Sequence, residues 1–170
     1  MIKIMGCILI FASCTGLGFL KAAAYKDRRR ELEHTLELIH LLEMEITYKK
    51  DSLAKTFQKV SLLKHCWFGQ VLETCGRQLA DQKPLQQAWQ AGLEENRHGC
   101  PLLPGDLQIL QDISLGLGKS DAQGQKKVLE SAVLRLKAKL RDAVLQEEKQ
   151  GRMYRGLGMA AGVVIAVILL

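Results

Sequence analysis

The segment Gly118-Lys119-Ser120 has the residue types that end a phosphate-binding loop. A complete loop of this kind needs another glycine at position 113 and a preceding strand, so that its N–H groups point at the phosphates. Here Ile113 takes the place of that glycine, the approach is helical, and Asp121 adds negative charge where phosphate would bind. We therefore interpret this segment as a cap and turn between two helices.

Two further arrangements could support catalysis if their side chains met. His65 and Cys66 have the types of a base and a nucleophile, but adjacent side chains on a helix diverge by about 100° and no orienting carboxylate is apparent. Glu43 and Glu45 stand two positions apart on a predicted helix, so their carboxyl groups face different sides. The sequence therefore predicts no catalytic residue and a protein that is not an enzyme.

The histidines and cysteines lack the spacings that are typical of metal sites. The chain contains four histidines and five cysteines, without an HExxH or a CxxC motif. Because paired-ligand spacing is the usual sequence signal of a zinc site, we expect no metal and no other cofactor. The odd number and irregular spacing of the cysteines also predict that there is no disulfide framework. A small-molecule substrate is likewise not expected.

Both ends of the chain are apolar, and no charged residue occurs in residues 4–20 or 156–170. Because a charge is costly to bury in a bilayer, such runs predict membrane-spanning helices. The second run is shorter than usual, and it can insert if the bilayer thins locally. We expect an N-terminal transmembrane anchor over 1–24, a helical domain over 25–155 and a short C-terminal transmembrane segment over 156–170.

Basic residues flank the inner edges of both apolar runs, at Arg28, Arg29, Arg30, Arg152 and Arg155. Since short basic segments beside a membrane stay cytoplasmic, the domain between the runs is expected to be cytosolic. The chain has a formal net charge of +6. The chain has no basic stripe interleaved with aromatic residues, and its bases stand beside apolar spans, so attraction to anionic membrane lipids explains the charge better than a nucleic-acid partner.

The N-terminal run has a second interpretation. Residues 11–14 (FASC) have the small residues and cysteine of a lipoprotein cleavage site, so an exported scaffold acylated at Cys14 is an alternative. Apolar sequence continues past Cys14 to Leu20, whereas a processed N-terminus normally leads into a polar tether. We therefore favour a retained anchor. A membrane-tethered regulator or assembly factor is a further alternative.

Between the apolar ends, apolar residues recur every three or four positions, as they do on one face of a helix. We predict a helix over 26–50, a second capped by Asp51 or Ser52, a third over 62–79, a fourth from Pro84, a fifth from Asp106, and a long last helix capped by Ser120 or Asp121. The predicted fold is all-α, an antiparallel bundle of about six helices flanked by N-terminal and C-terminal transmembrane helices. The first and last helices should lie antiparallel and side by side.

The order of these features resembles the stage III sporulation protein AB family of endospore-forming bacteria. The resemblance covers the whole chain, and beyond the anchor and the basic cluster it rests on residues 42–48 (LEMEITY), 115–121 (LGLGKSD) with Gln125, and 154–158 (YRGLG). Members of that family are similar to the cytoplasmic domain of the platform proteins of type II secretion and type IV pilus machines. The resemblance therefore implies a helical bundle, and it brings no catalytic residues to this chain.

The resemblance also implies a role in a secretion-like channel complex between mother cell and forespore. The chain would lie in the outer forespore membrane of the mother cell, together with other membrane components of the channel. Its cytosolic domain would dock a hexameric secretion-type ATPase. We expect this partner to contact charged residues of the first bundle helix, although a solvated helix face would carry the same residue types: Glu43, Glu45, Lys49 and Lys50.

Overall fold

The computed structural model describes residues 2–48, 51–118, 122–154, 156–157, 160 and 164, and at residues 2–11, 14 and 122 it describes the backbone alone. These residues form six α-helices, namely α1 (Ile2–Tyr48), α2 (Leu53–Ser61), α3 (Trp67–Ala80), α4 (Leu85–Glu95), α5 (Pro104–Gly116) and α6 (Ala122–Gln146), followed by a π-helical turn at Glu147–Gly151. The described residues contain no strand. The predicted all-α bundle is therefore confirmed.

Three of the predicted helix starts are wrong. Helix α5 begins at Pro104 and not at Asp106, because Leu103 is its N-cap. The expected anchor and the expected first bundle helix form one helix, α1, because the connecting residues 21–25 (KAAAY) include three alanines, the best helix former, and no breaker. The third helix begins at Trp67 and not at residue 62, because the backbone at Cys66 is extended (φ −144°, ψ 170°). Leu62 and Leu63 continue the apolar pattern but lie exposed in the preceding turn.

The chain divides into two compact units. Residues 30–140 form one unit, which we call the bundle unit, and residues 1–29 together with 141–170 form the other, which we call the hairpin unit. Helices α1 and α6 contribute residues to both units. The bundle unit spans fewer residues than the helical domain predicted over 25–155. The predicted boundaries between that domain and the membrane segments stay a prediction.

Three aromatic side chains occupy the centre of the bundle unit. Trp89 on α4 lies between Phe57 on α2 and Phe68 on α3, with ring centroids 5.8 and 6.0 Å apart and edge-to-face geometry. All three are at most 1% exposed. Helices α1, α5 and α6 complete the core with the fully or almost fully buried side chains of Leu32, Leu38, Ile39, Leu42, Leu110, Ile113, Leu129 and Leu136.

The hairpin unit pairs the end of the chain with part of α1. Tyr25 donates a hydrogen bond to Gln150, and Arg28 donates one to Gln146. The residue number of the partner falls as the residue number along α1 rises, so the two segments run antiparallel. The tyrosine rings of Tyr25 and Tyr154 stack with centroids 6.1 Å apart. This arrangement confirms the expected pairing of the first and last helices near the basic clusters.

Among the described residues, no helix has both the length and the apolar composition to cross a bilayer. The predicted C-terminal segment over 156–170 lies largely outside the described residues. In the predicted N-terminal anchor, the side chains of residues 1–11 and of Cys14 lie outside them as well.

Candidate functional site

Glu43, one of the predicted partner contacts, forms ion pairs within the bundle unit. Its carboxylate lies 3.7 Å from Nδ1 of His40, which precedes it by about one turn of α1. It also lies 3.9 Å from Nζ of Lys126 on α6. Only 19% of the Glu43 side chain is exposed. Glu43 therefore links α1 to α6, and little of its carboxylate faces solvent.

Glu45 has a similar role toward α2. Its carboxylate accepts a hydrogen bond of 2.9 Å from Nζ of Lys59, and 18% of its side chain is exposed. Such partly exposed ion pairs contribute roughly 0–1 kcal/mol to stability, so they orient the helices more than they stabilise them. The other two predicted contacts, Lys49 and Lys50, lie outside the described residues.

Large apolar side chains are exposed beside these ion pairs. Leu62 and Leu63, in the turn after α2, and Met44 on α1 are each more than half exposed. The turn lies against α1, because Lys59 before it pairs with Glu45 and Lys64 after it pairs with Glu37. Met44 follows Glu37 by two turns and shares its side of α1. We call Met44, Leu62 and Leu63 the α1–α2 face.

The predicted membrane-flanking arginines differ in how much of their charge faces solvent. Arg28 is buried and donates a hydrogen bond of 2.8 Å to Oε1 of Gln146. Arg29 forms a 2.5 Å ion pair with Glu147, and both side chains are about one quarter exposed. These two arginines therefore hold the hairpin unit together, a role that the sequence did not predict.

The remaining arginines of the predicted basic set are placed differently. Arg30 and Arg152 are exposed, so their charge is available to an anionic surface. Arg155 lies outside the described residues. Two of the four described arginines of this set are therefore exposed.

Glu31 is a buried carboxylate that caps α3 from a different helix. Its two oxygens accept hydrogen bonds from the backbone N–H groups of Phe68 at 2.8 Å and Trp67 at 3.2 Å. The first N–H groups of a helix have no partner within the helix, and a carboxylate there also interacts favourably with the helix dipole. Burial raises the pKa of Glu31, although both hydrogen bonds act to lower it. Glu31 therefore fastens α3 to α1.

A cluster of different ligand types surrounds this cap. Glu31, His34 and Cys66 each offer one possible ligand atom, and these three atoms lie within 4.8 Å of one another. Cys66 is the N-cap of α3, and its sulfur accepts a hydrogen bond of 3.4 Å from the N–H of Gly69. Burial is the main cause that raises the pKa of the Cys66 thiol, and the Glu31 charge contributes. The three side chains are of types that can hold a metal ion.

The cluster was missed by sequence reasoning because its members come from distant segments. In the sequence Cys66 stands beside His65, whereas the fold brings it to Glu31 and His34 of α1. The spacing of Glu31 and His34, three positions apart on a helix, places both on one side of α1 and is the signal that could have indicated a site. The position of Cys66 depends on the turn before α3, which the apolar pattern did not reveal.

The described part of the suspected phosphate loop supports its interpretation as a turn. Ile113 is a core residue of α5 with 1% exposure, and α5 ends at Gly116. Gly118 follows with φ +75°, a left-handed conformation that glycine adopts without steric cost. Residues 119–121 lie outside the described part of the chain.

The fold and these contacts define a class: helical-bundle proteins whose first and last helices pair as an antiparallel hairpin near the chain ends. The family model described as Stage III sporulation protein AB matches residues 3–170. The chain therefore belongs to the stage III sporulation protein AB family. This confirms the family that the motifs around residues 42–48, 115–121 and 154–158 indicated.

Individual relatives agree with the family match. Stage III sporulation protein AB of Bacillus subtilis (strain 168) is 25% identical over 175 residues, a match that covers 100% of both chains. A solved structure of Stage III sporulation protein AB is similar in fold, with a TM-score of 0.68 and 21% identity. That likeness covers 72% of this chain and 98% of the solved one. A sporulation role is consistent with these relatives.

Proposed function

We propose that this chain is a non-enzymatic membrane platform of a secretion-like sporulation channel, and that its bundle unit docks a cytosolic hexameric secretion-type ATPase. The observation that carries the proposal is the family match over residues 3–170, which takes in both apolar ends and the bundle between them. A chain with this organisation can present a helical domain to a cytosolic partner while its ends hold it in a membrane.

The membrane part of the proposal rests on sequence. The uncharged runs at 4–20 and 156–170 would insert, and the exposed Arg30 and Arg152 would face anionic lipid on the cytosolic side. The membrane would be the outer forespore membrane of the mother cell. Because α1 is helical from Ile2 to Tyr48, movement of the docked bundle could be transmitted along it toward the membrane.

The α1–α2 face is the part of the bundle unit that best suits a docked partner. Glu43 and Glu45 are largely occupied by their ion pairs, so they frame the surface and leave the contact to exposed neighbours. Leu62 and Leu63 are adjacent, exposed and flanked by Lys59 and Lys64. An apolar centre with a charged rim is the usual composition of a protein interface.

Docking can be tested with a charge introduced at the centre of this face. In sporulating cells, the double variant Leu62→Asp with Leu63→Asp should lose co-purification of the secretion-type ATPase, and sporulation should stop after engulfment. Since both side chains are exposed, the variant should fold and insert normally. The matched control is Leu134→Asp on α6, where the leucine is 70% exposed. Retained co-purification in the double variant, or equal loss in the control, would contradict docking at this face.

The orientation has its own test. A cysteine introduced at His98, an exposed position of the bundle unit, should be protected from a membrane-impermeant maleimide in intact cells and should react after lysis. Reaction in intact cells would mean that the bundle lies outside. That result would favour the alternative of an exported scaffold, and labelled palmitate at Cys14 would then be expected.

A further inference from the structure

We propose that Glu31, His34 and Cys66 form a binding site for a divalent transition-metal ion of the zinc type. The site lies where α1 meets the N-terminus of α3, in the bundle unit, and it is independent of the proposed docking role. Its geometric basis is the distance among the ligand atoms, all within 4.8 Å of one another. Zinc bonds to sulfur, nitrogen and oxygen are about 2.0–2.3 Å long, so the ligand atoms of one ion lie at most about 4.6 Å apart, and binding would draw the three side chains closer together.

Two of the ligands are held in place before any ion binds. Glu31 is fixed by the N–H groups of Trp67 and Phe68, one on each carboxylate oxygen. A carboxylate oxygen can accept more than one interaction, so each oxygen keeps a lone pair for a metal. The N–H of Gly69 holds the sulfur of Cys66 at the start of α3. These contacts act as the outer-shell partners that orient metal ligands in proteins.

The charge and burial of the site favour a divalent cation over a monovalent cation. Glu31 and Cys66 are buried, and His34 is half-buried. With the carboxylate and thiolate ionised and the imidazole neutral, a divalent ion gives the site no net charge, which is what a buried site requires. A thiolate and an imidazole bind zinc-type ions better than magnesium or calcium, which prefer oxygen ligands.

The ligand set leaves the fourth position of a tetrahedral ion open. Three protein ligands with an exchangeable fourth position are typical of sites that bind water or a further group. Binding would join α1 to α3 more strongly than the carboxylate cap does alone. The sequence predicted no metal site because Glu31 and Cys66 are far apart along the chain.

The site can be tested with Co²⁺, which reports thiolate ligation by near-ultraviolet charge-transfer absorption. The full-length chain in detergent, after removal of metals with a chelator, should bind one equivalent of Co²⁺ with such a band, and Zn²⁺ should displace it. Cys66→Ser should abolish the band. His34→Gln, which alters a half-buried side chain, should weaken Co²⁺ binding by more than about tenfold.

Cys75→Ser is the matched control, because Cys75 is also buried in α3 but belongs to no ligand cluster among the described residues. It should keep both the band and the affinity. Circular dichroism checks that the variants are folded, and His34→Gln decides the question if Cys66→Ser does not fold. The proposal is overturned if the native chain gives no thiolate band, if Cys66→Ser retains it, or if His34→Gln binds Co²⁺ as tightly as the native chain.

Discussion

In the bundle unit, apolar side chains fill the space between the helices, with Phe57, Phe68 and Trp89 at the centre. In the hairpin unit, polar contacts between α1 and the end of the chain, such as Arg28 with Gln146 and Arg29 with Glu147, accompany the stacked rings of Tyr25 and Tyr154. Burial of apolar area stabilises a fold without directional requirements, whereas polar contacts depend on geometry. The two units should therefore differ in stability and in their response to salt.

This difference bears on the proposed function. The packed bundle unit can present a surface to a partner, while the polar contacts of the hairpin unit, which lie next to the proposed membrane segments, can exchange with water or lipid headgroups. Regions with fewer buried apolar contacts open at lower free energy. We therefore expect the hairpin unit to be the first part of the described chain to open.

Removal of the aromatic centre should have the largest effect. Trp89→Ala deletes a side chain that is 1% exposed and contacts both Phe57 and Phe68. The expected loss in the free energy of unfolding is about 3–5 kcal/mol, because the substitution leaves a cavity. Denaturant titration of the chain in detergent measures it. Leu134→Ala, at an exposed position, is the control and should change stability by at most about 0.5 kcal/mol. Equal effects would refute an apolar centre at Trp89.

Removal of the buried cap should have the next largest effect. Glu31→Ala leaves the N–H groups of Trp67 and Phe68 without their acceptor, which should cost about 1–3 kcal/mol. In the presence of a chelator, hydrogen exchange of these two amides should accelerate more than exchange at the centre of α3. The control is Glu73→Ala, an exposed position of α3. Unchanged exchange at Trp67 and Phe68 would show that the carboxylate is not their cap.

A pH titration tests how apolar the bundle unit is. Burial raises the pKa of Cys75 from 9.0 to about 12. Since the folded state then keeps a proton that the unfolded chain loses, this thiol lowers the stability of the native fold as pH rises above about 9. Relative to the Cys75→Ala variant, the free energy of unfolding of the native chain should fall by up to about 1.4 kcal/mol for each pH unit above 9. Below pH 9 the difference between the two chains should not change. If the difference in stability between the native chain and Cys75→Ala stays constant from pH 9 to pH 10, water reaches Cys75.

The same comparison explains which parts of the molecule the sequence could predict. The helices of the bundle unit follow from apolar periodicity, and residues such as Leu32, Ile39 and Leu42 are buried as that period requires. The start of α3 could not be predicted in this way, because it depends on Cys66 and on Glu31 from another helix. Leu62 and Leu63 have the period of a helix but lie in a turn.

Polar contacts across helices carry no periodic signal. The basic residues were predicted as a lipid-facing set, because Arg28 and Arg29 stand beside an apolar run. Which of them face solvent is decided by the antiparallel register, which brings Gln146 and Glu147 opposite. The carboxylate, imidazole and thiol of the proposed metal site were likewise present in the sequence, but the contact between their segments was not.

The smallest expected effect belongs to the hairpin unit. A double-mutant cycle with Arg28→Met and Gln146→Leu should give a coupling energy of about 1 kcal/mol, since one hydrogen bond joins the two side chains. Hydrogen exchange of the amides at residues 25–29 measures the free energy of local opening. If the bundle unit is the more stable one, these variants should leave exchange at Trp89 unchanged.

Salt distinguishes the two polar contacts of the hairpin unit. The Arg29–Glu147 pair joins opposite charges on side chains that are about one quarter exposed, so its coupling energy should be at most about 1 kcal/mol and should fall at high ionic strength. The Arg28–Gln146 contact has an uncharged acceptor and a buried donor, so its coupling should change little with salt. If both couplings vanish in high salt, Arg28 acts as a surface charge, and the hairpin is held by contacts other than this hydrogen bond.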